Sequence, residues 1–405
     1  MFIDLSPLKK HRDFRLLFAG QMVSFLGSMI SFVAIPYQIF ELTKDNWLVG
    51  MLGIAQLGPI LLFGVIGGSF ADKFDRRKIL IYSEIFMALC ALGLSINSLY
   101  AQPSVTMIFL FAAAMQAANG FHRPAMDAMT QKMVDREDYP AISALGSFRF
   151  SFGAIVGPAI GGILIASFGA QVAHFVDFLT FLFAIVSLSL IRSMPPVDTA
   201  VAAGFAHILE GFRFAWKRPE LVGTYITDIV AMAFAFPTAL FPAMSENWGG
   251  ATAAGALFSA MAVGSLFITI FSGWMNGIKR HGLAVILAAF TWGLAVIALG
   301  FAPDLTTALI CLGLAGAADM VSGMFRGIIW NETIPNEMRG RLAGLEMISY
   351  MSGPLIGNAR AGWVASMSSI SLSIWSGGVI CSVGVIVCGL MLPGFRRYVS
   401  KTVNP

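Results

Sequence analysis

Ala34–Trp47 reads AIPYQIFELTKDNW, and 201 residues further on Ala235–Trp248 reads AFPTALFPAMSENW. The two stretches share Ala34/Ala235, Pro36/Pro237, Phe40/Phe241, Asn46/Asn247 and Trp47/Trp248, with Asp45 facing Glu246. A second echo lies at an offset of 196, where Gly157-Pro158-x-x-Gly161 matches Gly353-Pro354-x-x-Gly357. Both echoes sit within a series of apolar runs. The first pair ends runs one and seven, and the second lies in runs five and eleven. Each element therefore recurs six runs later in the same orientation, the mark of a parallel duplication that gives a membrane protein two related bundles.

The runs are long enough to span a bilayer. A hydrocarbon core about 30 Å thick needs about 20 apolar residues per helix. Runs of that size fall near 15–40, 48–71, 78–99, 104–132, 141–168 and 170–191, then near 219–244, 250–276, 281–301, 304–332, 340–366 and 369–393. Composition agrees: of 405 residues 57% are apolar and only 12% charged, where a soluble domain carries roughly twice that charged share. The 42 glycines and 34 phenylalanines also suit membrane helices, because small residues let them approach closely. The expected fold is an all-α membrane protein of twelve transmembrane helices in two pseudo-symmetric six-helix bundles, residues 1–191 and 219–405. The linker 192–218 carries Phe205, Ile208, Leu209, Phe212 and Trp216 at helical spacing beside Arg213 and Lys217. It reads as an amphipathic helix on the inner leaflet or as the first turns of span seven.

Basic residues set the orientation. With the N-terminus inside, the cytoplasmic side receives Lys9, Lys10, Arg12, Arg15, Lys73, Arg76, Arg77, Lys78, Lys132, Arg136, Arg192, Arg213, Lys217, Arg218, Lys279, Arg280, Arg339, Arg341, Arg396, Arg397 and Lys401. The outward loops keep a single lysine, Lys44. Both termini are therefore expected in the cytoplasm. Topology accounts for the net charge of +4, so no nucleic-acid partner is expected. Met1–Arg15 is basic and leads directly into the first run, without the pattern of a cleavable signal peptide. Cys90, Cys311, Cys381 and Cys388 lie in apolar runs and read as buried thiols, with neither metal-ligand spacing nor a disulfide framework. No metal or cofactor is expected.

Two motifs stand out. The loop after span two reads GGSFADKFDRRK from Gly67 to Lys78. Gly68 permits the close approach of a neighbouring helix. Asp72 can meet a helix N-terminus or an arginine, and Arg76 and Arg77, with Lys78 beside them, can clamp carboxylates. Such a cluster reads as a conformational latch; the plainer alternative is a solvated basic loop. Span five carries Gly153-x-x-x-Gly157-Pro158-x-x-Gly161-Gly162. Its glycines form a packing seam, and Pro158 removes a backbone hydrogen bond. The run reads as a hinge, or as tight helix packing alone.

The loop resembles the signature of the major facilitator superfamily: a glycine, an aspartate four positions on, then clustered basic residues. It departs from that pattern at Asp75, where a glycine is usual. The span-five run resembles the antiporter motif of the same superfamily. Leu5-Ser6-x-Leu8-Lys9 with Phe14-Arg15, Asn46-Trp47-x-Val49-Gly50, Gly211-Phe212-Arg213-Phe214, and Phe241-Pro242-Ala243 before Asn247-Trp248 are similar to the bacterial enterobactin-exporter family, through nearly the whole chain. The resemblance implies export of a catecholate siderophore across the bacterial inner membrane, driven by protons entering in exchange. It also implies an export partner in the periplasm or outer membrane. Drug-efflux members of the branch share several motifs, so a multidrug or macrolide efflux pump is the alternative. The partners implied are thus a small molecule (siderophore or drug), protons and the lipid bilayer. An enzyme or an uncoupled lipid scramblase is a further reading, but no nucleophile–base pairing or phosphate-binding glycine loop supports the enzyme. Without an ATP site, pumping must draw on a gradient.

Ionisable residues inside spans are costly and usually face a cavity or a partner. Here they are Glu84, Arg123, Asp127, Arg149, Asp177, Asp228, Asp319, Arg326, Glu332 and Arg360. Arg123 and Asp127, four apart, share a helical face and can pair. Asp319 and Arg326, seven apart, also share one. Asp319 lies nearest the midplane, followed by Asp228, and it reads as a proton-coupling group, a substrate contact or half of a structural ion pair. Arg149 and Arg326 suit an anionic aromatic ligand. His122 and His174 are read as structural. The expectation is a latch in the first half and a proton switch in the second.

Overall fold

The computed structural model describes residues 4–193 and 205–400; the side chains at 69, 72, 205–209, 276, 336–337, 339–341 and 343–348 lie outside the described part. Among the described residues there is no strand, and twelve long helices follow the apolar runs. They are α1 (Arg12–Thr43), α2 (Asn46–Lys73), α3 (Arg76–Asn97), α4 (Val105–Lys132), α5 (Tyr139–Phe168), α6 (Ala170–Ser189), α7 (Pro219–Ala235), α8 (Ala251–Ile270), α9 (His281–Leu299), α10 (Leu305–Thr333), α11 (Asn336–Met367) and α12 (Ile370–Met391). Eleven are long and apolar enough to cross a membrane. The other, α11, is 32 residues long and opens on side chains outside the described part. Along the spans Leu89, Leu110, Val186, Ile310, Leu314 and Leu390 are each more than half exposed, a surface matched to hydrocarbon and ill suited to water.

Polar breaks fix the helix ends. Asp75 starts α3 by accepting from the Arg77 N–H at 2.9 Å, and Asp304 starts α10 by accepting from the Thr307 N–H at 2.8 Å. Ser104 and Ser369 do the same for α4 and α12. These oxygens satisfy donors that a first helical turn leaves unpaired. Gly169, at φ 81°, turns the chain from α5 into α6 in one residue, a backbone conformation that a side chain would resist.

The chain divides into two compact units. The first holds Met1–Thr43, Ala55–Ala202 and Gly249–Ser259; the second holds Lys44–Ile54, Ala203–Trp248 and Ala260–Pro405. In the first, α1 packs on α5 and α6, and α3 on α4 and α6. In the second, α7 packs on α11 and α12, and α9 on α10 and α12. The pairings are the same with every number raised by six. The echoed glycines serve them. A Cβ at Gly161 of α5 would sit 3.2 Å from the Ile30 Cα of α1, and one at Gly353 of α11 would sit 2.7 Å from the Met232 Cβ of α7.

The structure departs from the expected spans in two places. The seventh was expected over 219–244, but α7 stops at Ala235. Phe236 is extended, Thr238–Leu240 forms a 3-10 turn, and a short helix resumes at Phe241–Ser245. Asn358 of α11 holds this break: its Oδ1 accepts from Thr238 Oγ1 at 2.8 Å and from the Ala239 N–H at 2.9 Å. The eighth was expected over 250–276, but α8 ends at Ile270 and Ser272–Gly277 is a 3-10 segment. The linker forms its own helix, Phe205–Trp216, which ends before α7 begins at Pro219. On it Phe212 and Trp216 are exposed and their rings stack with centroids 5.4 Å apart. Residues 194–204 of the expected linker, and the side chains of Phe205, Ile208 and Leu209, lie outside the described residues.

Candidate transport site

In the second unit, sequence spacing paired Asp319 with Arg326 on α10, and the structure adds Asp228 from α7. Arg326 makes its close ion pair with Asp228 through Nη1 and Oδ1, while its Nη2 stands 3.8 Å from Asp319 Oδ1. Ser349 of α11 donates to Asp228 Oδ2 at 3.4 Å, and among the described residues the buried Arg326 Nε has no hydrogen-bond partner. Asp228 and Arg326 are 7% and 9% exposed at the side chain and Asp319 is 40% exposed. One permanent cation thus serves two carboxylates, one buried and one open. Such a triad can hold a structural pair and still present a free acid to a ligand.

The first unit buries acids differently. On α1, Gln21, Ser24, Ser31 and Gln38 are all buried, and their spacings of three and seven put them on one helical face. Gln21 donates to Glu84 Oε1 of α3 at 2.8 Å, and Ser24 donates to Oε2 at 3.1 Å. His122 Nε2 of α4 lies 3.0 Å from the same Oε1. Ser31 donates to Asp177 Oδ2 of α6 at 2.5 Å, and Thr180 donates to Oδ1 at 3.4 Å. Gln38 donates to Ser98, and its Oε1 stands 3.1 Å from His174 Nε2. The amide oxygen must accept there, so that His174 nitrogen carries the proton. Glu84 and Asp177 are both fully buried. Among the described residues, the one ion pair of either is that of Glu84 with His122. Sequence reasoning read both histidines as structural and overlooked the α1 stripe. The signal was present as four polar residues at helical intervals within an apolar run.

Asp127 lies beyond His122 on α4, and the charges of Arg123, Arg149 and His122 all act on it. Arg123 and Asp127 are exposed and Arg149 is half-buried. Among the described residues no ion pair joins Arg123 to Asp127, so the pairing expected from their spacing is not formed.

The remaining intramembrane charges hold helix ends. Arg360 donates to the Ser373 carbonyl and to Ser376 Oγ, both at 2.6 Å. Glu332 accepts from Tyr398 at 2.9 Å and from Ser400 at 2.5 Å.

In the loop after α2, the Asp72 side chain lies outside the described residues. Arg77 donates to the Leu188 and Ser189 carbonyls at 2.9 and 2.6 Å, and Arg76 donates to the Ala71 carbonyl at 3.2 Å. Both arginines thus bind helix-end carbonyls here, where carboxylates were expected, and Lys78 is exposed. The close approach expected at Gly68 is made one residue earlier: a Cβ at Gly67 would run into Gly120 and Phe121 of α4, whereas one at Gly68 would meet nothing within 4 Å. The glycines of α5 take their places as expected for a seam. Gly153, Gly157 and Gly161 face Phe25, Met29 and Ile30 of α1, and Gly162 faces Gly255 of α8. The helix runs unbroken through Pro158.

One further cluster was not foreseen. His11, Asp135 and Asp138 come together near the start of α5. His11 Nε2 lies 3.0 Å from Asp138 Oδ2, and Lys10 donates to Oδ1 at 3.2 Å. That bond raises the pKa of Lys10 and holds its ammonium form. With an ammonium already on the carboxylate, the cluster is a clasp for the N-terminal helix Ser6–Lys10 and not a cation site.

Two bundles of long apolar helices, each with buried ionisable groups, are the architecture of a multi-pass membrane protein. The profile described as transmembrane secretion effector, of the major facilitator superfamily, matches residues 3–401, and the chain belongs to that family. The chain is 28% identical over 400 residues to the Enterobactin exporter EntS of Shigella boydii serotype 4 (strain Sb227), covering 98% of this chain and 95% of that protein. The exporters of the same name from Shigella flexneri and Escherichia coli O1:K1 are equally similar at 28%. Among solved structures, a POT family transporter in complex with 5-aminolevulinic acid superposes with a TM-score of 0.74 at 11% identity, covering 95% of this chain and 97% of that one. The POT family transporter PepTSo gives 0.69 at 12% identity, covering 95% and 98%. Those structures speak for the fold alone. Family and relatives place the chain as a multi-pass protein of the bacterial inner membrane.

Proposed function

We propose that this transporter exports a catecholate siderophore of the enterobactin type from the cytoplasm, in exchange for protons, with both termini inside. The observation that carries the reading is the likeness to enterobactin exporters over 98% of the chain. The site chemistry is compatible with it: the half-buried Arg149 offers positive charge to an acidic aromatic ligand, and the half-open Asp319 offers an acceptor for catechol hydroxyls. Secretion from a deletion strain is the test. Enterobactin in the medium should fall on deletion and return with the cloned gene. Unchanged secretion with raised drug sensitivity would support the multidrug alternative instead.

The loop Gly68–Lys78 is proposed as the latch and Gly153–Gly162 as the hinge of the conformational cycle. On that reading Asp72→Asn slows exchange between conformations while ligand affinity is kept, measured by stopped-flow and by equilibrium binding. Equal loss of affinity would count against it.

A further inference from the structure

We infer that the exchanged proton is held in the first unit, by Glu84 and His122, and not by the Asp319–Arg326 pair that the sequence favours. The inference rests on the antiport reading above and adds the site.

The argument is one of charge. A group that carries a proton through a transport cycle must exist in two protonation states, and a permanent cation beside a carboxylate holds it in the charged one. In the second unit Arg326 is a permanent cation, and it compensates Asp228 whether or not a proton is present. Among the described residues of the first unit the basic partner of Glu84 is the imidazole of His122, a group that, unlike a guanidinium, can give up its proton. The pair therefore shares one proton between two groups. With Nε2–H on His122 and a neutral Nδ1, Glu84 is the charged member. Adding one proton gives either imidazolium with carboxylate or imidazole with carboxylic acid, both without net charge. Transfer along the 3.0 Å contact moves the proton from Nε2 to Oε1 or back. No other atom has to leave.

Access follows the same path. The Glu84 side chain has no exposed surface, while His122 is 12% exposed, so protons reach Glu84 by way of the imidazole. Among the described residues, the polar and charged groups around the pair come from α1, α4, α5 and α6. From α1 come the neutral donors Gln21 and Ser24. From α4 come Asp127 and Arg123, and from α5 Arg149, whose charges join that of His122 at Asp127. From α6 comes Asp177, which feels the charge of Glu84 and is held by Ser31 and Thr180. A ligand that engages Arg149 or Arg123 therefore changes the field at the mouth of the proton path without touching Glu84.

The test uses the full-length protein in two settings. In pH-difference infrared spectra of the purified protein, wild type should show a carboxylic-acid C=O band that Glu84→Gln removes and His122→Gln shifts to another pH range. In proteoliposomes loaded with enterobactin, an inward proton gradient should accelerate wild-type efflux. Glu84→Gln should lose the acceleration yet keep downhill efflux, and Glu84→Asp should recover part of it. A Glu84→Gln protein with the wild-type spectrum and the wild-type gradient response would overturn the inference. Should Glu84→Gln fail to fold, His122→Gln decides: a pH profile identical to wild type sinks the proposal. If wild type carries no enterobactin at all, the substrate reading fails, and the infrared titration still rules on the proton site.

Discussion

The first helix of each unit is the same helix twice, and the differences between the two copies separate scaffold from chemistry. At the offset of 201, Pro36 and Pro237 coincide, yet α1 runs unbroken from Arg12 to Thr43 while α7 breaks just before Pro237. Proline alone does not dictate a break; it removes one donor, and the neighbours decide the rest. In the second unit Asn358 binds the freed backbone and stabilises the interruption. The polar face diverges further. Gln21, Ser24 and Ser31 of α1 align with Val222, Tyr225 and Met232 of α7, and Gln38 aligns with Ala239 in the 3-10 turn beyond it. Gly27 aligns with Asp228. A Cβ at Gly27 would sit 2.7 Å from Asp177 Oδ1, so the first unit brings a carboxylate from α6 to the spot where the second carries one on the helix itself. Packing was conserved between the copies while the management of buried charge was not. The first unit surrounds its acids with neutral or titratable donors, and the second sets them against a guanidinium.

The largest predicted effect breaks the second half of that comparison. Arg326→Ala leaves Asp228 buried without its cation and should cost about 3–5 kcal/mol, read as a fall in the unfolding temperature of detergent-purified protein. Arg326→Ala combined with Asp228→Asn should recover much of it. If the single variant is as stable as wild type, the ion pair is not what secures α7 to α10. Next, Gly27→Ala forces a methyl against Thr180 and Asp177 and should destabilise by about 1–3 kcal/mol. A neutral result would mean that α1 and α6 have room to part. Asn358→Ala strips the α7 break of two hydrogen bonds and should cost about 1–2 kcal/mol, with faster amide exchange at Ala239; unchanged exchange there would show that the break stands without Asn358. The smallest effect is expected for Ser349→Ala. Its 3.4 Å bond to Asp228 is long, so the loss should stay below about 1 kcal/mol; a larger loss would make Ser349 a main support of the triad.

Much of this architecture was legible because it depends on periodicities that a sequence displays. Apolar runs located the twelve helices, with the ends of the seventh and eighth overrun by nine and six residues, and the echoes of Pro36/Pro237 and Gly157/Gly353 marked the duplication. The glycine seam of α5 was legible for the same reason. What escaped depends on contacts between helices distant in sequence. Asp228 and Arg326 are 98 residues apart, and only packing α7 beside α10 reveals that Arg326 belongs first to Asp228. Gly67 and Gly68 are equivalent in composition, and only the crossing with α4 distinguishes them. The α7 break escaped because Asn358 lies on another helix. His122 looked like an isolated histidine because its partner is on α3, 38 residues away.

The central claim, that the two units divide the work, is tested most directly by comparing the gradient response of Glu84→Gln with that of Asp319→Asn. The measurement is enterobactin efflux from proteoliposomes with and without an inward proton gradient. The prediction is that Asp319→Asn weakens efflux at low substrate but keeps its acceleration by the gradient, while Glu84→Gln loses the acceleration. The reverse pattern, with coupling lost in Asp319→Asn and intact in Glu84→Gln, would contradict the account.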